Sequence, residues 1–263
     1  THLPLLFVVM PLTIHRTATL AVLLSALLLI SVPRPVEGGE WRVVPVRLDL
    51  SSDARTGSVT LIHEGNDRFQ VQISARSWEQ NEAGEDAYKE TPDLIFFPRM
   101  LVFDKPGERL IRVGIKAPAT DRERAYRLYL EEIPPPPAPG KPAVAVAVRF
   151  GLPVFILPAS PKPEGVIDQF LLHGGSAKVL VRNSGNIHLS IRSLTLTARD
   201  RQGTVIHTQE LTGWYLLPGV TRSYQFTLPI AECRRAATLE TTVTTDQLTL
   251  HGRIDVDPST CAP

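Results

Sequence analysis

Cysteine is scarce: the chain has two, Cys233 and Cys261, and no Cys-x-x-Cys pair. Two thiols are too few for a structural zinc site and form no redox dithiol motif. In an oxidising compartment they can pair with each other, which predicts one disulfide near the C-terminus. Charge of one sign is lacking as well, since 28 Lys and Arg stand against 27 Asp and Glu, interspersed throughout. No basic field exists to hold a phosphate backbone, which excludes nucleic acid as the expected partner. The histidines His63, His173, His188, His207 and His251 occur singly, never in a His-x-x-x-His or His-Glu-x-x-His spacing. There is no Gly-x-Ser-x-Gly elbow, and Gly140-Lys141 is followed by Pro142 where a phosphate loop needs Ser or Thr. The expectation is a protein that is not an enzyme and uses no cofactor and no metal.

Long apolar runs are also missing. Leu20 to Val32, about 13 apolar and small residues, is too short to span a bilayer but fits the hydrophobic region of a secretory signal. Residues 1–38 are therefore expected to be a leader and signal peptide, cleaved near Gly38. The mature protein is expected to be exported, with no stable membrane insertion.

What the chain does have is proline, 23 residues, and glycine, 17, spread between short runs rich in Val, Ile, Leu, Thr and Tyr. No long stretch keeps a helical period, so the fold class reads as all-β. Candidate strands in the first half are Arg42 to Leu50, Ser58 to His63, Phe69 to Trp78, Leu94 to Val102, Arg109 to Ile115, Ala125 to Ile133 and Val144 to Leu157. Turn signals such as Glu64-Gly-Asn-Asp67 and Asp104-Lys-Pro-Gly107 separate them. Pro98 interrupts its run, so that strand must lie at an edge or switch sheets. A proline-rich connector, Pro158 to Pro163, precedes a second series of strand patterns running from Val166 to Val256. Two immunoglobulin-like β-sandwich domains are expected, over residues 39–158 and 159–263. Asn183-Ser-Gly-Asn186 and Asp200-Arg-Gln-Gly203 are read as hairpin turns of the second.

Within the first domain one strand stands out. Val144, Val146, Val148, Phe150, Leu152 and Val154 share one face of an extended segment, while Ala145, Ala147, Arg149, Gly151 and Pro153 share the other. Such a row either fills the core of its own sheet or is lent to a partner that lacks a strand.

Several residues decide toward lending. Arg47 in the first strand, Arg109-Leu-Ile-Arg-Val-Gly114, Tyr126-Arg-Leu-Tyr-Leu-Glu-Glu-Ile-Pro134, the alternating strand from Val144 and Asn183-Ser-Gly-Asn186 resemble the periplasmic chaperones of chaperone-usher pili. The resemblance implies a periplasmic protein that caps pilus or coat subunits by donor-strand complementation and delivers them to an outer-membrane usher. It implies that Val144, Val146, Val148, Phe150 and Leu152 are the donor row. It also implies an anchor for the subunit's terminal carboxylate, made by Arg47 and a lysine whose place here is Pro153. Arg149, on the same face as Pro153, is the expected substitute cation. Leu157 replaces the Arg that relatives use in an inter-domain salt bridge, and these departures point to a divergent or archaic branch. An exposed apolar edge makes a self-capping homodimer plausible. The alternative is a secreted two-domain structural or adhesive surface module, which would keep the Val144 strand paired inside its own sheet.

Overall fold

The computed structural model describes residues 41–116, 120–134 and 146–261. The expected signal peptide, 1–38, and Val144 lie outside the described residues. The first sandwich is built from β1 (Trp41–Val44), β2 (Leu48–Leu50), β3 (Thr56–His63), β4 (Phe69–Gln80), β5 (Asp86–Glu90), β6 (Leu94–Phe97), β7 (Met100–Phe103), β8 (Gly107–Ile115), β9 (Arg124–Glu132) and β10 (Arg149–Ile156). One sheet has the order β1-β3-β8-β6; the other runs β2-β10-β9-β4-β5, with β7 also on β4.

Proline sets where strands change sheets, because it cannot donate to a ladder. Pro98 separates β6, which pairs β8, from β7, which pairs β4. Pro45 does the same between β1 and β2, so the expected continuous strand from Arg42 to Leu50 is two short ones in different sheets. Alternating residues of both sheets meet in the core: Val59 and Leu61 from one side, Val71, Leu128 and Leu130 from the other, all without exposure. Burying each such side chain contributes about 1.5–3 kcal/mol.

The second sandwich comprises β11 (Gly165–His173), β12 (Ser176–Asn183), β13 (Leu189–Arg199), β14 (Val205–Thr212), β15 (Tyr215–Leu216), β16 (Thr221–Thr227), β17 (Thr238–Thr245) and β18 (Thr249–Asp255). Its sheets are β11-β12-β16 and β14-β13-β17-β18, with β15 also on β13. Gly203, at φ 81°, closes the β13–β14 hairpin that Asp200-Arg-Gln-Gly203 predicted. Asn183-Ser-Gly-Asn186 is no hairpin turn: it joins β12 to β13 across the two sheets. A short helix α1 (Ile230–Arg235) carries Cys233, which is bonded to Cys261 on the 3-10 turn Pro258–Cys261. Closing a loop over a separation of 28 residues stabilises the fold by about 3.6 kcal/mol in the chain-entropy account. β15 and α1 are too short to show a period in the sequence, and β5, Asp86–Glu90, carries no apolar alternation.

Candidate functional site

The site forms where β10 outruns its neighbour. Along its whole length β10 pairs antiparallel with β9, from Arg149↔Glu131 to Ile156↔Arg124. On its other side β2 covers only three residues, Val154↔Leu48 to Ile156↔Leu50. The Val148 carbonyl accepts the N–H of Glu132 at 3.0 Å, so even-numbered residues of β10 turn their backbone groups toward β9. The odd-numbered ones face the other way. Leu157 N–H, donating to Leu50 O at 2.8 Å, obeys that parity. Among the described residues no strand pairs with Arg149 and Gly151 on that side; the Gly151 carbonyl accepts from Arg127 Nη1, and the Arg149 N–H and C=O and the Gly151 N–H are a template for a further strand.

The predicted donor row divides along this strand. Val146 and Val148 are 77% and 41% exposed. Phe150 is partly buried and meets Trp41 edge-on, ring centroids 6.4 Å apart. Leu152 has no exposure and belongs to its own sandwich's core, together with Val154 and Ile156. Leu152 is thus not free to be lent: its place in the row is right in parity, but the partner sheet of its own domain already covers it. Val144, the first residue of the expected row, lies outside the described residues.

The two expected anchor cations are not brought together. Arg47 precedes the Leu48↔Val154 pair and so lies beside Pro153. Arg149 is four residues upstream of that point, roughly 13 Å along the strand. Its guanidinium lies 3.9 Å over the Tyr129 ring and 3.5 Å from Glu131. Sharing a face put Arg149 on the right side of the sheet but at the wrong height. Arg47 itself is held by Asp49 at 2.9 Å and by Asp246, from the second sandwich, at 3.7 Å.

What stands directly across from Pro153 is Arg127 on β9. It is 6% exposed, and its Nη1 donates to the Gly151 carbonyl at 3.0 Å. Its Cζ lies 3.9 Å over the Trp78 ring, with Trp214 and Tyr215 at 5.5 and 5.7 Å. Sequence reasoning passed over Arg127. Pairing the Tyr126–Pro134 motif against the strand from Val144 would have placed it opposite Pro153.

These aromatic rings belong to the seam between the sandwiches, where Trp78, Ala125, Phe155 and Leu217 pack together. Asp86 ties it. One carboxylate oxygen accepts from Trp78 Nε1 and Gln80 Nε2, both at 2.9 Å; the other accepts from Tyr88 Oη and Trp214 Nε1, both at 3.0 Å. Burial works to raise the Asp86 pKa, but the four donors together hold it below the usual carboxylate value. Tyr88 is pushed up to about 12, by burial and then by the Asp86 charge. Deeper in the seam Glu123 accepts from the backbone N–H of His188 at 3.1 Å and contacts its Nδ1 at 2.8 Å. Burial raises the Glu123 pKa, and the His188 contact offsets part of that. The His188 ring stacks 3.7 Å from Phe155 of β10, so the second sandwich leans on the strand whose upstream half is open. Asn186, in the segment read as a turn, donates to the carbonyls of Asp121 and Ser160 at 2.9 and 3.0 Å and so ties the seam instead.

Among the described residues no cluster of His, Cys, Asp and Glu could hold a metal ion, and no helix is long and apolar enough to cross a membrane.

Residues 41–162 match the family described as pili and flagellar-assembly chaperone, PapD N-terminal domain. No curated protein matches by sequence. Among solved structures, a chain of the CsuC-CsuE chaperone-tip adhesion subunit pre-assembly complex of archaic Csu pili from Acinetobacter baumannii aligns with a TM-score of 0.57 at 16% identity, covering 80% of this chain and 97% of that one. The YadV chaperone aligns at 0.55 and 16% identity, over 82% of this chain and all (100%) of its own. A chain of the Salmonella enterica SafA pilin–SafB chaperone complex aligns at 0.53 and 14% identity, over 83% and 98%. At such identities the likeness establishes the two-domain immunoglobulin-like fold.

Proposed function

We propose that this chain, whose residues 41–162 match the PapD N-terminal domain of pili and flagellar-assembly chaperones, caps pilus or coat subunits by lending them the start of β10 and the residues just ahead of it. The observation that supports this most is a strand paired on both sides only from Val154 onward, with Val146 and Val148 exposed beside its open edge. A subunit missing a strand of its own sandwich gains backbone partners at Arg149 and Gly151 and covers the valine row. Covering Val146 and Val148, which are 77% and 41% exposed, is worth about 2–3 kcal/mol before ordering costs. No nucleotide, cofactor or catalytic step is required. Delivery to an outer-membrane usher and residence in the periplasm follow from the same reading, as does a homodimer in which two copies cover each other's open edge when no subunit is present.

The test is co-expression of the full chain with a pilus subunit encoded beside it. A soluble complex, lost on Val146→Asp together with Val148→Asp while the variant keeps its near-ultraviolet circular dichroism, is the expected result. A variant that still yields the complex in full sinks the reading.

A further inference from the structure

A strand edge left open is a hazard, because any extended chain can pair with it, and folded proteins blunt such edges with their own side chains. The edge of β10 is blunted at one rung. By parity the Gly151 carbonyl faces the open side, where an added strand would donate an N–H to it. That carbonyl is already taken: it accepts from Arg127 Nη1 at 3.0 Å.

Arg127 reaches the open side from β9, which lies on the other side of β10. On the outer face of β10 between them stand only Gly151 and Pro153, which carry no long side chain. The guanidinium is 6% exposed, with its Cζ 3.9 Å over the Trp78 ring and with Trp214 and Tyr215 at 5.5 and 5.7 Å. Ring faces hold a cation in place without accepting its hydrogen bonds in the guanidinium plane. Nε and Nη2 are covered and have no hydrogen-bond partner among the described residues. The bond to Gly151 is therefore the one hydrogen bond of a buried charge, and losing it is costly.

An incoming strand asks for that bond. Its N–H at the Gly151 rung competes for one oxygen with a charge-assisted donor, the stronger of the two. The rung before it carries no such lock, since Arg149 keeps its backbone groups free beside the exposed Val148. First contact thus falls at Arg149, and pairing reaches Gly151 only when the cover gained over the valines outweighs the bond given up.

We propose that Arg127 is an internal guard on the lending edge: it closes the Gly151 rung in the free protein and has to release that carbonyl before a guest strand pairs there, so that strands offering little apolar cover are turned away. This assignment rests on the strand-lending reading above.

The test dilutes a fluorescently labelled pilus subunit, the one encoded beside this chain, from denaturant into a concentration series of the full chain and reads capture by anisotropy. Arg127→Met is expected to capture it at about tenfold lower concentration than the wild type, since no charge-assisted bond has to be surrendered, and Arg127→Lys to fall between the two. The sign separates a guard from a packing role or a contact with the guest, either of which leaves the variant weaker or unchanged. Equal or weaker capture by Arg127→Met, with its near-ultraviolet circular dichroism intact, overturns the assignment. If that variant loses its circular dichroism, the wild type decides: the Arg127 Nε–H resonance, identified by its loss in Arg127→Lys, is expected to shift on capture, and an unmoved resonance overturns the assignment as well. If the wild type captures no subunit, the lending reading itself fails and this one falls with it.

Discussion

In β10, Leu152, Val154 and Ile156 are at most 1% exposed, whereas Val148 and Val146, just ahead of the strand in the same alternating row, are 41% and 77% exposed. The two halves have the same chemistry and the same parity. They differ in what packs against them: from Leu152 onward the row belongs to the core between the two sheets, whereas Val146 and Val148 lie ahead of it. An apolar row is therefore not by itself a core or a docking surface. Whether the facing sheet reaches it decides which it becomes.

The contrast can be broken or sharpened by measurement. The largest effect is expected downstream, where Phe155→Ala removes a fully buried ring from the seam and costs about 3–5 kcal/mol, read from denaturant midpoints. Leu152→Ala follows at about 2–5 kcal/mol, since it opens a cavity in the core of the first sandwich. Upstream, Val148→Ala is expected to change the stability of the free protein by no more than about 0.5 kcal/mol. A larger loss there would mean that Val148 is already covered in the free chain. Hydrogen exchange resolves the same boundary at single amides: Phe150, Leu152 and Val154, facing β9, should be protected, while Arg149 and Gly151 exchange fast until a partner is added. Protection of all five in the free protein would close the edge and with it the proposed function.

A smaller effect concerns pH at the seam on which β10 rests. The Asp86 carboxyl has a lower pKa folded than unfolded, so its contribution to stability is full above the ordinary carboxylate range, near about pH 4, and is lost as the pH falls below it. Asp86→Asn is expected to flatten the stability profile in that acid range and leave its neutral part with a similar slope. An unaltered acid limb would show that the four donors do not favour the ionised form.

Much of the fold was legible because a period of two is a local property. Val59 and Leu61, or Val71 and Ile73, announce their buried face without reference to anything distant. Pro98 announced its change of sheet, and two cysteines in a chain with no other candidates announced their bond. The site was legible in part. Parity placed Val146, Val148 and Leu152 in one row, but where that row leaves its own core depends on how far the facing sheet reaches, which strands distant in sequence decide. Arg149 was chosen by parity alone and stands too far along the strand. Arg127 could not be chosen that way at all, since its relevance comes from the cross-strand register with Pro153.

Pro153 has one more effect. As an odd-numbered residue it turns its backbone nitrogen toward the open edge, and that nitrogen bears no hydrogen. In the proposed complex, a guest chain zipped onto Arg149 and Gly151 finds no donor at the next rung, so the zipper has a fixed end-stop, and any guest that slides past it forfeits a bond. Length would then be gauged by a missing proton, one rung before the resident strand begins.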